Sequence, residues 1–146
     1  MYHVLLPVDI DEARARAQVE AVLDLPGASE SVRVDVLHVF EEIDVPADDD
    51  GRAFIDELNR NLENLRELPQ TVDSVVDELE DAGVETSVHS VTADPASAIL
   101  EVAEDFDVDA IVIGARRRSP VGKVLFGSVT QAVILESDRP VTVAPA

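Results

Sequence analysis

The sequence predicts a doubly wound α/β fold: a five-stranded parallel sheet in the order 3-2-1-4-5, with helices on both faces. Three observations predict it. Segments of strand character alternate with segments of helical period along the chain. The first and fourth strands, His3-Val4-Leu5-Leu6-Pro7-Val8 and Ala110-Ile111-Val112-Ile113, are continuously apolar, as strands covered on both faces must be. The third strand is diluted with polar residues and the fifth is short and terminal, so these two belong at the edges.

The elements follow in order. After the first strand, residues 11–25 read as a helix. Asp11 can cap it, Ala13, Ala17, Ala21 and Leu25 recur every four residues, and Pro26-Gly27 stops it. Val32 to Phe40 is β-rich, with Val32, Val34 and Val36 on one face. The acidic stretch Glu41 to Asp50 reads as a solvated loop. Phe54, Ile55, Leu58, Leu62 and Leu65 then keep helical spacing. Beyond Pro69, Val72, Val75, Val76 and Leu79 resume it, as one kinked helix or as two. Ala82-Gly83 ends that run and Val84 to Val91 forms the third strand. Asp94-Pro95 is a helix start, a cap followed by proline at the first helical position. Ile99, Val102, Ala103 and Phe106 carry the helix on. After the fourth strand comes a long loop from Gly114 to Ser128. A last helix begins near Gly127-Ser128, and Val141-Thr142-Val143 is the fifth strand.

Composition narrows the function classes. At 146 residues and 46% apolar, the chain is expected to be one folded domain spanning residues 1–146. No apolar run approaches the roughly 18 residues of a membrane span. The opening Met1-Tyr2-His3 lacks the basic region of a signal peptide, so the expected location is the cytoplasm. There is no cysteine, which excludes disulfides and thiolate chemistry. The net charge is −20, and such a surface repels nucleic acid and anionic membranes. Lys123 is the single lysine against ten arginines. Abundant carboxylates with almost no lysine suggest adaptation to high salt.

The strand order locates a site. In a 3-2-1-4-5 sheet the chain reverses between strands 1 and 4, and the crevice beyond their carboxyl ends is the default ligand site. Val8-Asp9 and the loop from Gly114 fall there. That loop gathers Arg116, Arg117, Arg118 and Lys123 within eight residues. Gly114 permits close backbone approach. Gly127 and Ser128 stand at a helix start, whose free N–H groups attract anions. Ser128 and Thr130 add hydroxyls. The loop reads as a phosphate cradle. It reads equally as solvated charge followed by an ordinary helix cap.

These residues resemble the universal stress protein family. Its nucleotide-binding members carry Gly-x-x-Gly, nine residues, then Gly-Ser or Gly-Thr. Gly114, Gly127 and Ser128 match its ends at the same spacing, while Arg117 stands at the second glycine. Pro7-Val8-Asp9, Asp94-Pro95, Gly127-Ser128-Val129-Thr130 and Arg139-Pro140-Val141 extend the resemblance over nearly the whole chain. The resemblance implies ATP or a related adenine nucleotide as ligand, with Mg²⁺ carried on its phosphates. Asp9 would receive the adenine amino group beside Val8, and Val39 would face the base. Gly114 would lie against ribose and phosphates. Gly127, Ser128, Val129 and Thr130 would hold the phosphates, and Arg116 and Arg117 would add charge. Arg117 either replaces backbone contacts with a side-chain clamp or closes the pocket. The resemblance also implies a homodimer through Val141–Val143.

Rival motifs fail. No Gly-x-Gly-x-x-Gly follows the first strand and there is no Walker sequence. A phospho-receiver domain would need an acceptor Asp after strand 3, where Asp94-Pro95 reads as a cap. His3, His38 and His89 lie on strands without metal spacing or paired acids, which points to structural roles. With no positioned general base beyond Asp9, the expected function is regulatory nucleotide binding and not catalysis. The alternative is a dimeric interaction module that needs no nucleotide.

Overall fold

The computed structural model describes residues 1–41, 68–118 and 123–146, with the backbone alone for 116–118 and 123–125. The sequence-predicted helix over Phe54–Leu65 and most of the acidic loop, including Asp48, Asp49 and Asp50, lie outside these residues. The described elements are β1 (Tyr2–Pro7), α1 (Glu12–Leu23), α2 (Ala28–Ser31), β2 (Val32–Phe40), α3 (Gln70–Asp81), β3 (Glu85–Thr92), α4 (Pro95–Asp105), β4 (Ala110–Arg118), β5 (Lys123–Leu125), α5 (Ser128–Glu136) and β6 (Val141–Pro145).

Parallel pairing runs β3-β2-β1-β4-β6. With β6 as the fifth parallel strand, this is the order the strand apolarity predicts. The reason is burial. Val4, Leu5 and Leu6 of β1 are fully buried, as are Ile111 and Val112 of β4, because helices cover the sheet on both sides. Val4 and Leu6 pack with Val34, Val36, Val19, Val22, Val75 and Leu79 under α1 and α3. Leu5 packs on the other face with Leu37, Ile99, Ile111, Ile113 and Val133 under α4 and α5. Strand β3 alternates between exposed and half-buried positions, the mark of an edge.

The turn chemistry is largely as the sequence predicts. Asp11 caps α1 by accepting the Arg14 N–H at 2.9 Å, and Asp94 caps α4 by accepting the Ser97 N–H at 3.2 Å. Gly27 and Gly83 adopt φ of 70° and 83°, conformations that cost glycine little.

Three expectations are corrected. The fully buried α1 face is Ala15, Gln18, Val19 and Val22; of the Ala13-Ala17-Ala21-Leu25 row only Ala21 and Leu25 pack against the core, half-buried, and the helix ends at Leu23. Two apolar rows overlap on an alanine-rich helix, and the larger side chains win the buried side. The stretch after Gly114 is not simply a loop. Strand β4 continues to Arg118, and Arg116, Arg117 and Arg118 pair antiparallel with Leu125, Val124 and Lys123. A cationic run reads as a loop by hydropathy, yet backbone pairing at an open end of the sheet does not require burial. Finally, two of the three histidines do have a paired acid. Asp35 of β2 is buried and lies between His3 of β1 and His89 of β3. The His89 Nε2–H donates to its Oδ1 at 2.8 Å and His3 Nε2 meets its Oδ2. Adjacent parallel strands bring these three residues together across 32 and 54 positions of chain, which linear spacing does not reveal.

Candidate functional site

Strands β1 and β4 pair only at Val4 with Ala110 and Leu5 with Ile111. Beyond that they part, and a cavity of about 290 Å³ opens at their carboxyl ends. Of the residues singled out from sequence, Val8, Asp9, Val39, Gly114, Gly127, Ser128, Val129 and Thr130 all line it. They come from β1, β2, β4 and the start of α5, four segments that only this topology brings together. Arg116 and Arg117 lie on the β4 extension opposite Leu125 and Val124. The volume sits near the lower end of the roughly 300–1,000 Å³ usual for small-molecule sites.

Each wall has a local cause. Leu37, Val39, Ile99 and Ile113 give it an apolar side. The loop after β1 is tied down from three directions. His38 Nδ1 donates to the Val8 carbonyl at 2.8 Å, which fixes that ring nitrogen as the protonated one. Thr71 of α3 donates its hydroxyl to the Asp9 carbonyl at 2.5 Å. The Asp9 carboxylate accepts from the Asp11 N–H at 2.9 Å and from Arg14 Nη2 at 2.8 Å. Asp9 is half exposed, so its remaining lone pairs stay accessible. The Arg14 Nε–H is buried without a partner among the described residues.

The two glycines of the motif differ. A Cβ on Gly114 would lie 3.1 Å from Arg14 Cβ and 3.3 Å from Gln18 Oε1. The close approach that Gly114 permits is therefore that of α1. Gly127 has an ordinary extended backbone, φ −69° and ψ 170°, and among the described residues a Cβ there would meet nothing within 4 Å. Among the described residues neither a positive φ nor a close neighbour demands glycine at 127, although a helix N-cap favours it over bulky apolar residues. It opens α5, whose first-turn N–H groups lack intrahelical acceptors. Thr130 is buried, and its hydroxyl proton is committed to the Gly114 carbonyl at 3.1 Å. It therefore offers a ligand lone pairs, not the donor expected of it.

Sequence reasoning missed Arg14, Gln18, His38 and Thr71. The first two lie on a helix whose buried face was read from alanines. The last two act through backbone carbonyls, and no linear motif marks such contacts. Among the described residues no cluster of three or more His, Asp or Glu could hold a metal ion, and no helix is long and apolar enough to cross a membrane.

Fold and cavity together define a doubly wound α/β protein with its pocket at the topological switch point. The family model that matches residues 1–145 is that of the universal stress proteins, and the chain belongs to this family. A universal stress protein of Methanocaldococcus jannaschii is 29% identical over 153 residues, covering 96% of this chain and 92% of the relative. A universal stress protein structure from Archaeoglobus fulgidus superposes with a TM-score of 0.67 at 28% identity, covering 98% of each chain. Another from the same organism, in complex with dAMP, gives a TM-score of 0.63 at 23% identity, over 98% of this chain and 97% of that one.

Proposed function

We propose that this chain is a single-domain cytoplasmic protein that binds an adenine nucleotide as a regulatory ligand in the crevice between β1 and β4, and is not an efficient enzyme. The observation that carries this reading is Gly127. It opens a helix at the cavity with an ordinary extended backbone, and among the described residues nothing stands within 4 Å of where its Cβ would lie. A phosphate would use that space, bonding to the free N–H groups of the first helical turn. The dAMP complex of an Archaeoglobus fulgidus relative supports the choice of ligand class.

In this reading Val8 and Val39 flank the base and a free lone pair of Asp9 accepts its amino group. Gly114 runs along the ribose. Gly127, Ser128 and Val129 hold the phosphates, with Thr130 beside them. Arg116 and Arg117 supply positive charge from the hairpin, and Arg117 acts as a clamp in place of the family's second glycine. Mg²⁺ accompanies the ligand on its phosphates when that ligand is ATP. Asp9 and Glu41 are the two carboxylates among the described lining residues, and Asp9 already accepts from the Asp11 N–H and from Arg14, so binding and not turnover is proposed. A second copy is proposed to pair along β6. That edge carries the half-buried Val141 and Val143 and is bonded on one side to β4, and an open edge of this kind recruits another strand.

Calorimetry with AMP and with ATP·Mg²⁺ tests the ligand. Wild-type protein is expected to bind both. Gly127→Val should weaken both at least about tenfold while lowering stability only by the roughly 1 kcal/mol that a poor helix cap costs, and Arg117→Gly should weaken ATP more than AMP. No heat with wild type overturns the reading.

A further inference from the structure

The β1–β4 ladder stops after two residue pairs although both strands run on. Alternate residues of β1 turn their backbone groups toward β4. The His3 carbonyl accepts the Asp109 N–H at 2.7 Å, so Leu5 and Pro7 turn the same way. Val8 N–H, out of phase with them, donates to Leu37 of β2. On β4, Ile111 N–H donates to Pro140 on the far side, so Val112 turns toward β1. The next rung would be an amide at position 7 donating to the Val112 carbonyl. Proline has no N–H to give.

A side chain supplies what the backbone lacks. Gln18 Nε2 donates to the Val112 carbonyl at 3.1 Å and to the Pro7 carbonyl at 2.5 Å. Gln18 is 2% exposed, in a row of α1 whose other members, Ala15, Val19 and Val22, are apolar core. A primary amide in that company is costly unless it is hydrogen-bonded. It lines the cavity, and its Oε1 lies 3.3 Å from where a Cβ of Gly114 would stand.

We propose that Pro7 and Gln18 form one device: the proline ends the β1–β4 ladder, and the glutamine bridges the two carbonyls left there and holds the strand ends apart. Gln18 is thus a positioning residue that sets the width of the crevice. Its consequence for AMP rests on the nucleotide reading above; its consequence for the sheet does not.

A double-mutant cycle tests the device without ligand. Gln18→Leu alone takes the donor from the buried Val112 carbonyl and the part-buried Pro7 carbonyl, and the folding equilibrium constant should fall about tenfold. In Pro7→Ala the new amide at position 7 should be protected from hydrogen exchange, and adding Gln18→Leu should then cost no more than about twofold. Additive effects, or an unprotected amide at position 7, overturn the proposal. Gln18→Glu reads the site. It places a carboxylate where a donor is needed, so AMP should bind about tenfold more weakly than to wild type at pH 8, recovering in acid as the carboxyl gains a proton. A loss that does not vary with pH overturns the positioning role. Wild-type protein that takes up no AMP overturns the nucleotide reading alone, and the cycle still decides the device.

Discussion

Asp35 is 1% exposed between two imidazoles. Burial pushes its carboxyl pKa up, but the hydrogen bonds from His3 and His89, and then their charge, outweigh this and hold it below its usual value of 3.8. A carboxyl lowered in the fold stabilises above its unfolded value, and that contribution is lost as pH falls through the lower, folded value. Asp35→Asn should therefore cost about 1–3 kcal/mol in urea unfolding at pH 7, and the gap to wild type should shrink below pH 3.8. An unchanged gap in acid would count against the pairing. This network was not legible in the sequence. His3, Asp35 and His89 were readable only as three polar residues on three strands, because their meeting depends on sheet register.

At the scale of elements, α1 does more than cover the sheet. Its Arg14 and Gln18 press against β4 at Gly114. Gly114→Ala should push the helix outward and cost about 1–3 kcal/mol of stability, seen as a lower denaturant midpoint at unchanged slope. A neutral substitution would mean that Gly114 is kept for the ligand instead. The two glycines of one motif thus separate: Gly114 answers to a helix, and Gly127 has no close neighbour among the described residues. The sequence showed both glycines and their spacing but not this division, since a glycine does not declare what approaches it. The hairpin of β4 and β5 was hidden for a related reason. Its pairing is carried by backbone groups, and its side chains are those of a loop.

The whole molecule carries a net charge of −20 over 146 residues. Self-repulsion of that size destabilises a compact state, and salt screens it within about 3 Å at 1 M ionic strength. The melting temperature should rise steadily from low salt to molar KCl; a flat response would argue against adaptation to salt. Assembly is the second property at this scale. If two copies join along β6, Val143→Lys should convert a dimer to a monomer in light scattering. A variant that stays dimeric would move the interface elsewhere.

Short of α2 and the β5 pairing, the sequence by itself determined the main elements, their parallel strand order and hence the crevice at the switch point. These follow from burial, and a strand covered on both faces must be written as an apolar run. It also marked eight residues that the structure brings to one cavity. The tertiary structure alone decided that Gln18 stands in for the missing amide of Pro7, that Thr130 spends its proton on Gly114, and that Asp35 holds two histidines. Each of those contacts depends on which way a backbone group or side chain turns once the strands are in register, and the spacing of residues along the chain does not encode that direction.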